Sequence, residues 1–257
     1  MDLHILEKTS QLVKLGKRVA LVTLTKSSGS TPRKEGTLMC VWDDGFVGTI
    51  GGGMIEYKVI QLARKNLELI KNEAFSFDLT KEAELGMSCG GNVEGYIKIV
   101  KPKNRIVIAG AGHIGQKLYQ ILKESDFEIV MIDDREEYKK LNSNILIGNY
   151  KEILEELVDN ENTYFVIVTK GHLTDSQVLE SVLEKKSRYI GMVGSKKKVL
   201  EIKNDLKSKG LIIPEEKFYS PIGLKISDGT PYEIAIEILA EILNIKNDGE
   251  LRNRRNY

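Results

Sequence analysis

The sequence predicts an α/β protein with a small N-terminal α+β domain followed by a Rossmann-like domain on a doubly wound parallel sheet. Three observations carry this expectation. The stretch Arg105-Ile-Val-Ile-Ala-Gly-Ala-Gly-His-Ile-Gly115 runs through a helical segment into Glu128-Ile-Val-Met-Ile-Asp-Asp134. It is an apolar strand entering Gly110, Gly112 and Gly115, then a second strand ending on an acid about 20 residues later, the pattern of a dinucleotide-binding βαβ unit. From residue 105 onward apolar runs alternate with helical periods, which argues for a parallel sheet. Before residue 100 the pattern is instead that of a small α+β domain with mainly antiparallel strands.

Taken in order, residues 3–15 place Leu3, Ile5, Leu6, Leu12, Val13 and Leu15 on an amphipathic helix that stops near Gly16. Residues 18–25 read as a buried strand, and the Ser-, Gly- and Pro-rich run 26–36 as a loop. Strands at 37–42 and 46–50 flank Asp44-Gly45, a hairpin signal. Gly51, Gly52 and Gly53 open a helix over about 54–72, and strands follow at 75–79 and 93–100. The polar, Pro-containing Lys101-Pro-Lys-Asn104 marks a boundary between domains over 1–100 and 105–257. Beyond it strands are expected at 105–109, 128–132, about 145–148, 164–168 and 189–193, with helices at 114–124, 151–158, 175–186 and 196–208. A last helix runs to about Ile245, with Thr230 as N-cap and Pro231 at its first position. The tail 252–257 is expected to fray.

Composition narrows the partners. A formal charge of +1, with 29% charged and 41% hydrophobic residues, gives no reason to expect nucleic acid or an anionic membrane. No apolar run is long enough for a membrane span, and Met1–Lys8 lacks the plan of a signal peptide, so a cytoplasmic location is expected. Cys40 and Cys89 are then expected as reduced thiols, and the scattered cysteines and histidines have no metal-site spacing.

Ligands of open α/β sheets bind beyond the carboxyl ends of the strands, which gathers the candidate residues. Gly110 allows a tight turn, Gly112 lets a phosphate approach the backbone, and Gly115 lets the helix pack on the sheet. His113 sits inside this loop, where it can contact phosphate or move a proton. Asp133 is placed for ribose hydroxyls, as in NAD sites, while Arg135 can take a 2′-phosphate; a plain turn-capping role for Asp133 is the alternative. His172 follows the fourth strand, and Gly194-Ser195 before Lys196–Lys198 resembles an anion-binding cap. In the first domain, Gly51–Gly53 form a second possible anion cradle with Glu56 in reach, though without a P-loop signature. Cys89 stands before Gly90-Gly91, whose amides favour the thiolate; it is the candidate reactive residue, for nucleophilic sulfur chemistry or soft-metal ligation. Cys40, within Leu38–Trp42, reads as a buried small hydrophobe.

Six segments occur in one order: Gly29-Ser-Thr-Pro-Arg33, Gly48–Gly53 with Glu56, Met87-Ser-Cys-Gly-Gly91, Gly110–Gly115 with His113, Tyr189–Ser195 and Ser220-Pro-Ile-Gly-Leu224. Together they resemble the XdhC/CoxI family of xanthine dehydrogenase accessory proteins over nearly the whole chain. The resemblance implies a maturation factor that binds molybdenum cofactor as cargo, protects it during sulfuration and delivers it to an apo molybdenum hydroxylase of the xanthine dehydrogenase type. It implies a cysteine desulfurase as sulfur donor, and Cys89 as either a molybdenum contact or a sulfur acceptor. Thr169-Lys-Gly-His172, with Lys170, departs from the histidine pattern of many relatives. An NAD(P)-dependent oxidoreductase is the competing expectation, a nucleotide-stabilised sensor or scaffold the third, and a homodimer the expected assembly.

Overall fold

The computed structural model describes residues 2–29, 33–78, 91–140 and 145–251. The chain parts into two compact units, Met1–Pro102 and Lys103–Tyr257. Among the described residues, no helix is long and apolar enough to cross a membrane.

The first unit runs α1 (Asp2–Lys14), β1 (Val19–Gly29), β2 (Leu38–Trp42), β3 (Gly45–Gly48), α2 (Gly53–Leu69), β4 (Glu73–Asp78) and β5 (Gly91–Val100). Its sheet has the order β3-β2-β1-β5-β4, antiparallel throughout. Alternation along β1 divides the sheet between two helices. Ala20, Val22 and Leu24 pack with Ile55, Val59, Ala63 and Leu67 of α2, whereas Val19 and Leu21 pack with Ile5 and Leu12 of α1. Cys40 is wholly buried on the α1 side, and burial pushes its thiol pKa up. β1 continues into the run expected as loop. A bulge between Leu24 and Lys26 resets the register, and Ser27 and Ser28 pair with Val93 and Asn92 of β5. Backbone pairing is indifferent to the polarity that made these residues look like loop.

The second unit runs β6 (Arg105–Ala109), α3 (His113–Leu122), β7 (Glu128–Asp133), a 3₁₀ turn (Glu136–Lys140), β8 (Ile145–Ile147), α4 (Tyr150–Glu156), β9 (Thr163–Ile167), α5 (His172–Leu183), β10 (Tyr189–Met192), α6 (Lys196–Ser208), β11 (Phe218–Tyr219) and α7 (Pro231–Lys246). All its strands are parallel, in the order β11-β10-β9-β6-β7-β8. This is the doubly wound Rossmann order, with its direction of winding reversing between β6 and β9. Alternation again assigns the faces. Ile106 and Ile108 meet Leu118 and Leu122 of α3 and Ile238 and Ile242 of α7, while Val107 and Ala109 meet Val178, Leu179 and Val182 of α5.

One helix start differs from expectation and another matches it. α5 begins at His172, three residues early, while α7 has the expected Thr230 cap completed by Glu233 as a capping box, with Pro231 at its first position. The two-residue β11 was not expected; it joins the edge by pairing with Ile190 and Gly191.

α7 is tied to the sheet by a buried polar bond. The Tyr189 hydroxyl donates to Glu241 Oε1 at 2.7 Å, and Gly223 N donates to Glu241 at 3.1 Å. Burial outweighs these bonds and raises the Glu241 pKa above its ordinary 4.5. A raised carboxyl pKa favours the folded state below the unfolded pKa, and the advantage disappears as pH rises through the folded value. Glu241→Gln retains an oxygen acceptor without the charge. It should therefore flatten the loss of thermal stability as pH rises above the ordinary carboxylate range, measured as Tm against pH. An unchanged slope would show that Glu241 does not titrate with folding.

Candidate functional site

Two of the three glycines of the 110–115 loop have a steric reason. Gly110 sits at φ 116°, and a Cβ there would lie 2.4 Å from the carbonyl oxygen of Val168. At Gly115 a Cβ would be 1.9 Å from the oxygen of Gly110, so α3 packs against the loop only with hydrogen in that place. Gly112 differs: its φ is ordinary, at −69°, and a Cβ would meet nothing within 4 Å. Its bareness leaves open space rather than relieving a clash. Gly112 is also the N-cap of α3 and supplies no side-chain cap, so the first-turn amides of this helix lack that partner. α5 begins in the same way, after Gly171, whereas Asn149, Ser195 and Thr230 cap α4, α6 and α7 with their own side chains.

Asp133 ends β7 fully buried, and its carboxylate is heavily engaged. Oδ2 accepts from Ala111 N at 2.6 Å and Arg135 Nη2 at 2.8 Å; Oδ1 accepts from Arg135 N at 3.0 Å and Nε at 2.8 Å. Burial pushes this carboxyl up, but the Arg135 guanidinium and the two backbone N–H groups outweigh it and hold the pKa below the ordinary range. Arg135, expected as a 2′-phosphate ligand, is paired inward with Asp133 and lies 4.3 Å over the ring of Tyr138. Asp134 remains exposed.

Around these residues opens a cavity of about 500 Å³ at the carboxyl ends of β6, β7 and β9, where the winding reverses. Gly112, His113 and Ile114 form one wall, Arg135 and Tyr138 a second, and Val168–Lys170 a third, with Pro231 at the rim. Its basic lining residues are His113, Arg135 and Lys170, and no lining residue is a carboxylate. The third wall is braced from behind. Thr169 Oγ1 donates to the buried Asp175 Oδ1 at 2.6 Å, and Lys198 forms an ion pair with the same carboxylate.

Other expected residues lie elsewhere. His172 does not line this cavity; it faces Glu201 of α6 across 3.7 Å. Ser195 caps its own helix, accepting from Lys198 N at 3.3 Å, and the Cβ position of Gly194 packs against the Lys198 side chain. In the first unit Gly51, Gly52 and Gly53 all take positive φ, at 142°, 78° and 63°. There Glu56 Oε2 accepts from Thr49 Oγ1 and from Gly52 N at 3.3 Å, while Thr49 Oγ1 accepts from Gly51 N, also at 3.3 Å. The expected anion cradle thus already holds a carboxylate of its own chain. Gly91 opens β5; Cys89 and Gly90 lie outside the described residues. Among the described residues no group of three His, Cys, Asp or Glu side chains is placed to hold a metal.

The sequence singles out the glycines, His113 and Arg135 and places Thr169 and Lys170 at the same strand-end mouth, but does not mark Tyr138 or Pro231 as cavity walls. The signal for Tyr138 was its spacing from Arg135, one tight turn away. Thr169 announced itself only as the residue after a strand.

Residues 106–242 match the XdhC Rossmann domain, and residues 12–78 match the XdhC and CoxI family. The chain belongs to the XdhC and CoxI family. The uncharacterized protein YqeB of Escherichia coli is 30% identical over 240 residues, an alignment covering 89% of this chain and 44% of YqeB. A Bacillus subtilis protein named as a probable xanthine dehydrogenase subunit is 26% identical over 156 residues, covering 59% of this chain and 46% of that protein. The chain thus spans less than half the length of these curated relatives. A crystal structure from Bacillus halodurans, described as a xanthine dehydrogenase, shares the fold with a TM-score of 0.51 at 20% identity, covering 98% of this chain and 97% of its own. The loop glycines 110, 112 and 115 fall inside the matched Rossmann domain, and Gly51–Gly53 with Glu56 inside the matched N-terminal segment.

The different surroundings of the loop glycines can be told apart by substitution. Gly115→Ala should destabilise the protein by about 3 kcal/mol or more, because its Cβ meets backbone. Gly112→Ala should leave stability within about 0.5 kcal/mol of wild type. Thermal unfolding of both variants checks the contrast, and equal losses would contradict it.

Proposed function

We propose that this chain is an accessory factor for a xanthine dehydrogenase-type molybdenum hydroxylase, binding molybdenum cofactor as cargo and delivering it to the apo-enzyme. The observation that carries this reading is the cavity at the winding reversal, in a chain whose family includes a relative named as a xanthine dehydrogenase subunit. The cargo ends in a phosphate. The residues present fit that end: a bare Gly112, α3 amides without a side-chain cap, and His113, Arg135 and Lys170 with no carboxylate in the lining. Their part is to hold and orient the anionic end while the apolar faces of Ile114, Tyr138 and Val168 exclude water around it.

Cys89 belongs to this proposal as the thiol that meets the cargo's soft metal or receives sulfur from a desulfurase, because Gly90 and Gly91 offer amides that favour its thiolate. A dehydrogenase reading would assign the cavity to NAD. Asp133, the residue that reading relies on for the ribose, is instead spent on Ala111 and Arg135.

The test is purification from a host that makes the cofactor, followed by oxidation and measurement of pterin fluorescence and molybdenum per chain. Wild-type protein should carry both. Cys89→Ala should lower cofactor-dependent activation of the apo-hydroxylase by at least about tenfold, roughly 1.4 kcal/mol. Protein free of pterin, together with a silent Cys89→Ala, would sink the proposal.

A further inference from the structure

The corner of the cavity at the end of β7 carries information about which ligand fits. In dinucleotide-binding sheets, the acid ending this strand accepts hydrogen bonds from the ribose hydroxyls. A carboxylate offers about four lone-pair positions, and the four donors from Ala111 and Arg135 match them. Asp133 is also fully buried, so a ribose diol would have to displace a bond already made inside the protein. Pulling Arg135 away to free the acid would leave a buried carboxylate without its cation, a costly exchange.

Arg135 has the opposite character. Nε and Nη2 are committed to Asp133, while Nη1 has no hydrogen-bond partner among the described residues. The Tyr138 ring beneath the guanidinium and the fork onto Asp133 fix the plane of the group. Both Arg135 and Tyr138 line the cavity, together with Lys170 and His113. The exposed Asp134 carboxylate also stands 3.9 Å from Arg135 Nε, so what distinguishes this corner is its oriented donors, Nη1 foremost, where a diol-binding site offers acceptors.

We propose that the β7 corner recognises a phosphate monoester, so the cleft prefers a ligand with phosphate there to one with a free ribose diol. The inference rests on the reading that this cleft holds a phosphorylated ligand. The 2′-phosphate of an adenine dinucleotide and the terminal phosphate of a pterin cofactor share the chemistry, and one experiment distinguishes them.

Calorimetric titration of the full chain would compare NADP with NAD, and 6-hydroxymethylpterin phosphate with 6-hydroxymethylpterin. In at least one pair the phosphorylated member should bind at least about tenfold tighter, roughly 1.4 kcal/mol. Arg135→Gln should abolish that preference. Equal binding within both pairs, or no binding of any of the four compounds at millimolar concentration, overturns the proposal. So does a preference that survives Arg135→Gln. The wild-type comparison decides the matter even if a variant fails to fold. A preference confined to NADP supports the corner and removes the cleft from the cargo reading. Pterin-free protein that still shows a phosphate preference counts against the cargo reading alone.

Discussion

A buried carboxylate at the end of a parallel strand must find donors, and Asp133 finds one of them in the glycine loop of the neighbouring strand. Its bond to Ala111 N joins β7 to the turn that leads into α3, so the shape of that turn depends on a side chain from another strand. The same carboxylate holds Arg135 by its fork, and Arg135 in turn covers Tyr138. One desolvated charge thereby sets two walls of the cavity. Had the acid been exposed, the loop amide would face water and the arginine would be free to swing outward.

The two glycine loops of the chain show how the same residue type serves opposite ends. Gly51–Gly53 adopt backbone angles that side chains rarely take, and the amides they present are partly met by Thr49 and Glu56 from the same unit. Two of its three amides are met in this way, although α2, like α3, has no side-chain cap. Around Gly112 the backbone angles are ordinary, no side chain caps the helix, and space is left open. Glycine content alone marks both as anion cradles; only the fate of the amides separates them.

Much of the fold was legible because its signals are local. Alternating runs and turn residues marked the antiparallel first unit, and strand–helix rhythm with the 110–115 glycines marked the parallel second one. The misses were non-local. Ser27 and Ser28 join β1 because β5 runs alongside them, and Phe218-Tyr219 becomes a strand because β10 has a free edge. For the site, spacing located Asp133 correctly at the strand end but could not tell which way its carboxylate turned. Ser195 and His172 were likewise placed at strand ends, yet one caps its own helix and the other faces Glu201. Direction depends on contacts between segments far apart in sequence, and those carry no period.

The uncapped starts of α3 and α5 have a consequence for how the cleft behaves in solution. These helices follow β6 and β9, the adjacent strands between which the winding reverses, so both begin at the same edge of the sheet. Each helix start carries a partial positive charge, about half an elementary charge, that arises from aligned peptide groups and not from a titrating side chain. This contribution cannot be neutralised by adding or removing a proton. Whatever the protonation of His113, the start of α3 therefore makes the same electrostatic contribution to the crevice across the pH range in which the protein stays folded.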